Sequence, residues 1–126
     1  MKKVVVTDKA PAAIGPYSQG VWAGDFLFLS GQIPLDPGQG AIVGVTAAEQ
    51  AEQVFKNIGG ALESQGLTFE NVVKATVFAK NMEDFAAVNQ VYATRFASEP
   101  PARSFVEVAR LPKDVLVEIE VIAYKA

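Results

Sequence analysis

Arg103 and Glu118 are the residues of this 126-residue chain whose types and spacing could do chemistry together. Both lie in the C-terminal stretch from Pro100 to Tyr124, which reads as two strands. A guanidinium is a planar fork that suits bidentate recognition of a carboxylate. A carboxylate beside it can orient or deprotonate a water. Period two divides the last strand, Val115–Tyr124, into two faces. Val115, Val117, Ile119, Val121 and Ala123 point one way; Leu116, Glu118, Glu120, Ile122 and Tyr124 point the other. The second face mixes carboxylates with large apolar groups, as a subunit interface or a pocket wall does. On the preceding strand, Arg103–Val108, the residues Arg103, Phe105 and Glu107 share a face. If Ala109–Pro112 is a hairpin loop, Val108 faces Lys113 and Arg103 falls directly opposite Glu118. Their Cβ atoms would then be ~5 Å apart. A slip of one residue would turn apolar faces into water, which constrains the register. The alternative reading of the pair is a structural cross-strand ion pair.

Other side chains are weaker candidates. Asn89 sits between Phe85 and Tyr92 on an apolar helical stripe, and a buried Asn needs hydrogen-bond partners whether it packs, caps or binds. Tyr17 and Ser30 carry hydroxyls on strands, where ordinary surface roles compete with ligand contact. Gly31 is a bulge or turn glycine, or a point of close approach. Glu118 and Glu120, two apart on one strand, are too tightly placed for a glycosidase pair. Asp36, in a Pro/Gly loop, reads as a turn residue. Trp22 and the eight phenylalanines read as core and interface, with no nucleic-acid stacking motif.

The chain contains neither histidine nor cysteine. Disulfides, thiolate nucleophiles, Cys-based zinc sites, a Ser-His-Asp triad and a His general base are therefore excluded. Chemistry falls to carboxylates, Arg, Lys, Tyr, Ser, Asn, backbone groups and water. The net charge of −3 argues against a binder driven by phosphate charge. Apolar runs are short, so no membrane span is expected. The N-terminus lacks a long apolar stretch and a small-residue cleavage site, so a soluble cytoplasmic protein is the expectation.

These residues need a scaffold, and the length fits a single domain over residues 1–126. Lys3–Thr7, Tyr17–Trp22 and Phe26–Gln32 read as strands, with loops at Lys9–Pro16 and Pro34–Gly44. Thr46 to Gln65 is the clearest helix. Thr46 and Glu49 form a capping-box signature, and Ala47, Ala51, Val54, Phe55, Ile58 and Leu62 form its apolar stripe. Gly66 follows as a C-terminal glycine. Gly59-Gly60 within the helix points to close approach of another backbone, or to a local break. Val72–Lys80 reads as a strand. A second helix starts at Asn81 to Asp84 and runs to about Ala97, with Phe85, Val88, Tyr92 and Phe96 as its stripe. The order β-β-β-α-β-α-β-β predicts an α+β two-layer sandwich, two helices on one face of a mixed, largely antiparallel six-stranded sheet.

Three blocks in order resemble a known family: "APAAIGPYSQG" near the N-terminus, "SGQIP" at Ser30–Pro34, and "PPARSFVEVARLPKDVLVEIEVIA" from Pro100 to Ala123. They are similar to the blocks of the RidA/YjgF/YER family of reactive-intermediate deaminases, over nearly the whole chain. The resemblance implies a chorismate-mutase-like fold of the Bacillus type, and a homotrimer with active sites in clefts between subunits. It implies hydrolysis of 2-imino acids (2-iminopropanoate and 2-iminobutanoate) to 2-keto acids and ammonia, with no metal and no cofactor. Carried over by position, Arg103 clamps the substrate carboxylate with the backbone N–H of Phe105. Gly31 offers its carbonyl to the imine nitrogen, and Glu118 holds and activates water. Tyr17, Ser30 and Asn89 line or order the cleft. Phe105 departs from the cysteine that many members carry, which leaves the N–H in place and puts a bulkier ring beside it. The alternatives are a non-catalytic regulator that binds keto acids or related carboxylates, and an endoribonuclease or translation inhibitor. No nucleic-acid or membrane partner is expected.

Overall fold

Thr46 begins the longest helix as its sequence requires. Its side chain accepts a hydrogen bond from the Glu49 N–H (3.2 Å), and the Glu49 carboxylate accepts one from the Thr46 N–H (3.0 Å). The computed structural model describes residues 2–125, and in it this helix, α1, runs Ala47–Ser64. The predicted stripe from Ala47 to Leu62 is buried throughout. Gly66 closes the helix at φ +73°, a conformation that costs glycine little. A Cβ at Gly60 would collide with the Lys9 carbonyl oxygen. The glycine is thus a point of backbone approach, not a break.

The strands are β1 (Lys3–Val5), β2 (Gly20–Ala23), β3 (Phe26–Leu29), β4 (Val72–Ala79), β5 (Ala102–Glu107) and β6 (Val117–Tyr124). The second helix, α2, runs Phe85–Arg95 and follows a short 3-10 turn at Met82–Asp84 that Asn81 caps. The element order is the one expected. Strands are shorter at their outer ends: Tyr17–Gln19 lie before β2, Ser30–Gln32 lie after β3, and Val115 and Leu116 precede β6.

One connection differs from expectation. The sheet order is β1-β2-β3-β6-β4-β5. β5 and β6 do not form a hairpin, because β4 lies between them. β5 pairs with β4 in parallel, with Ala75 beside Arg103 and Phe78 beside Val106. β6 pairs with β4 antiparallel, with Ala75 beside Val121 and Phe78 beside Glu118. The physical reason is the helix between β4 and β5, since a strand–helix–strand unit brings its two strands together in parallel. The core lies between the sheet and α1, where Phe55, Ile58, Leu62, Val77, Ile119 and Val121 are shielded from solvent. Among the described residues no helix is long and apolar enough to cross a membrane.

Candidate active site

Glu118 belongs to the sheet face away from the helices. Along β6 every second residue from Val117 to Ala123 enters the core, and Glu118, Glu120 and Ile122 face the other way, as period two predicts. Glu118 opens on a cleft of about 460 Å³ lined by Tyr17, Ser30, Gly31, Pro112, Glu118 and Glu120, among others. Backbone bonds hold the wall opposite. The Gln32 N–H donates to the Ile119 carbonyl (2.8 Å), and the Ile119 N–H donates back (3.1 Å), so the segment after β3 runs along β6. This sets Gly31 against the Glu118 side chain. A Cβ there would lie 3.0 Å from Glu118 Cδ and would overlap its carboxylate. Only hydrogen at that position leaves the carboxylate its place.

Three buried amides secure this wall. Asn57 on α1 donates to the carbonyls of Ile33 (3.1 Å) and Leu35 (2.9 Å). Gln19 accepts from the Thr7 N–H and donates to the carbonyls of Thr7, Ala10 and Pro11, which fixes the loop that leads to Tyr17. Gln50 accepts from the Leu116 N–H (2.8 Å) just before β6. Ser30 Oγ donates to the Ser18 carbonyl (2.6 Å), so it orders the cleft through backbone. Tyr17 is half exposed, and its hydroxyl accepts from the Ile14 N–H (3.3 Å).

The Glu118 carboxyl is pushed above the usual carboxylate range, first by burial and then by the Glu120 charge beside it. No basic side chain of the described residues lies within 4.0 Å of it. A carboxylate with little stabilisation of its charge is a better base than one locked in an ion pair.

Arg103 stands on the helix side of the sheet, in register with Ala75 and under α2. Its Nη1 donates to Asn89 Oδ1 at 2.6 Å. Tyr92, Phe105 and Phe85 surround the guanidinium, with ring centroids 4.7, 5.3 and 5.8 Å from its Cζ. No carboxylate of the described residues pairs with it. Phe105 adds its backbone. The Val108 N–H points inward to the Ala79 carbonyl (2.9 Å), so strand alternation turns the Phe105 N–H out from the free edge of β5.

The expected pairing of Arg103 with Glu118 is therefore overturned. The two stand three residues apart along the strands and two strands apart across the sheet, about 14 Å at their Cα atoms. Their side chains leave opposite faces. The chain builds two separate clusters of candidate site residues. One gathers Tyr17, Ser30, Gly31 and Glu118; the other gathers Asn89, Arg103 and Phe105. Tyr92 and Phe85 were missed as site residues because helical period alone counts them as core. Phe85 is in fact 41% exposed and packs on Phe105. The signal that could have found them is their i−4 and i+3 spacing around Asn89.

A family model described as Endoribonuclease L-PSP matches residues 7–125. The chain belongs to this RidA/YjgF family. A RutC family protein of Pyrococcus horikoshii is 54% identical over 125 residues, covering 99% of each chain. The 2-iminobutanoate/2-iminopropanoate deaminase of Salmonella typhimurium is 50% identical over 128 residues, again covering 99% of each. Among solved structures, E. coli TdcF with bound serine superposes with a TM-score of 0.93 at 43% identity, over 98% of this chain and 99% of that one. The RidA/YjgF fold thus extends over nearly the whole chain, both clusters included.

Proposed function

We propose that the protein hydrolyses 2-imino acids such as 2-iminopropanoate and 2-iminobutanoate to 2-keto acids and ammonia. The reaction takes place in a cleft shared by two subunits of a homotrimer. The observation that carries this reading is the pair of clusters. One offers a guanidinium with no carboxylate partner among the described residues, and the other a carboxylate of raised pKa. A single chain cannot join them across its own sheet, and a neighbouring chain can. The deaminase relative at 50% identity supports the choice of substrate.

In the proposed reaction Arg103 and the Phe105 N–H hold the substrate carboxylate from one subunit. From the other, the Gly31 carbonyl accepts a hydrogen bond from the iminium N–H, and Glu118 holds water. A protonated imine is already electrophilic, so positioning and a base suffice. Water adds to the imine carbon and gives its proton to Glu118. That proton passes to the nitrogen, the C–N bond breaks as Glu118 takes the remaining hydroxyl proton, and ammonia leaves as the keto group forms. Tyr17 and Ser30 shape the Glu118 side, and Asn89 orients Arg103.

The test is pyruvate release from enzymatically generated 2-aminoacrylate. Wild type accelerates it and Arg103→Ala does not; equal rates with and without wild-type protein contradict the reading. The bound serine in TdcF favours one second reading, a binder of small amino or keto acids. That reading predicts Arg103-dependent affinity with no turnover. The family description also names an endoribonuclease. The net charge of −3 gives RNA little phosphate attraction, and RNA cleavage lost in Arg103→Ala would be needed to favour it.

A further inference from the structure

Two arginines of this chain lie over aromatic rings, and their charges are handled differently. Arg95 Cζ is 5.4 Å from the Phe55 centroid, and its Nη1 also meets both Glu52 carboxylate oxygens, at 2.9 and 3.0 Å. Its charge is answered within the chain. Arg103 has three rings and one neutral amide oxygen instead. Ring faces attract a cation through their quadrupole, without taking up its N–H donors or cancelling its charge. Phe85 and Phe105 also hold each other, with centroids 4.7 Å apart and planes tilted by 58°. Tyr92 completes the enclosure from α2, and its buried hydroxyl finds no partner in the chain's described residues.

We propose that Phe105, packed against Phe85, is a positioning residue for Arg103. The rings fix the plane of the guanidinium without neutralising it, so that its remaining N–H donors serve a ligand carboxylate. This rests on the reading of Arg103 as the carboxylate anchor and adds what holds the anchor in place. It also gives the Phe105 side chain a role separate from that of its backbone N–H.

The experiment compares Phe105→Leu with Phe105→Tyr. Leucine keeps apolar bulk and loses the ring face; tyrosine keeps the face. The readouts are Kd for 2-oxobutanoate by calorimetry, KM and kcat for imine hydrolysis, and the thermal midpoint. Phe105→Leu is expected to weaken binding about two- to fivefold, with a matching rise in KM and little change in kcat. Phe105→Tyr should bind as wild type does. Wild-type affinity in Phe105→Leu, or equal loss in both variants, overturns the proposal. Should Phe105→Leu not fold, Phe85→Leu against Phe85→Tyr tests the same ring pair at a half-exposed ring. Arg103→Ala separates the two readings. If it loses binding while Phe105→Leu does not, the anchor stands and the positioning role fails. If it binds normally, both fail.

Discussion

Glu118 is half-buried, lies beside Glu120, and touches a glycine whose Cβ would displace its carboxylate. Its raised pKa carries a sign for stability. The fold favours the neutral carboxyl, so the stability it contributes is present below the unfolded carboxylate pKa and is lost as pH rises through the folded value. Glu118→Gln should therefore raise the thermal midpoint at neutral pH, by a margin that shrinks on acidification. The same change should cost about 10²–10⁴-fold in imine hydrolysis, the usual share of a general base. Melting curves and rates on one preparation check both. Gly31→Ala is expected to fold within about 1 kcal/mol of wild type, because the atom it displaces is the end of a flexible side chain. It should nonetheless lower kcat sharply by moving the Glu118 carboxylate, and unchanged kcat would remove Gly31 from the site. At this scale the sequence is informative where chemistry is carried by residue type. Arg103 and Glu118 stand out as candidates without a structure. Gln19, Asn57 and Gln50 are not, since nothing in an isolated amide says that it will be buried against loop carbonyls.

Elements were legible where their signals are local. The capping box at Thr46, the stripe of α1 and the alternation of β6 depend on neighbours within a turn or a strand. The partner of a strand is not local, and the C-terminal hairpin was the casualty. Adjacency in sequence favoured pairing β5 with β6, while the helix between β4 and β5 already implied a parallel unit. That error moved Arg103 to the wrong face. Gly60 belongs to this scale too, because it lets α1 meet the chain at Lys9. Gly60→Ala should destabilise by about 1–3 kcal/mol, the range for overpacking, despite alanine's higher helix propensity. Urea unfolding measures it, and a stabilised variant would show that the contact yields. The exposed Lys9–Glu63 ion pair at 3.0 Å beside it contributes little by comparison.

The whole molecule leaves Phe26, Phe28, Val106 and Tyr124 partly exposed on the sheet face away from the helices, around Glu118 and Glu120. In the proposed trimer this face meets its copies. Light scattering at micromolar concentration should return three times the 13.4 kDa chain mass. Phe28→Glu should weaken assembly and activity together, and a fully active monomer would remove the shared cleft. The period-two alternation of the last strand anticipated a mixed face of this kind, but one chain's residues could not say which copy would complete which half of the proposed cleft. Mixing the inactive variants Arg103→Ala and Glu118→Gln under conditions that exchange subunits addresses this directly. Each alone lacks one half of every site. A mixed trimer rebuilds intact sites wherever the Arg103 of one chain meets the Glu118 of its neighbour, so activity should return to about a quarter of wild type for random cyclic assembly. Exchange demonstrated by mass, with activity no higher than either parent, would contradict a site built from two chains.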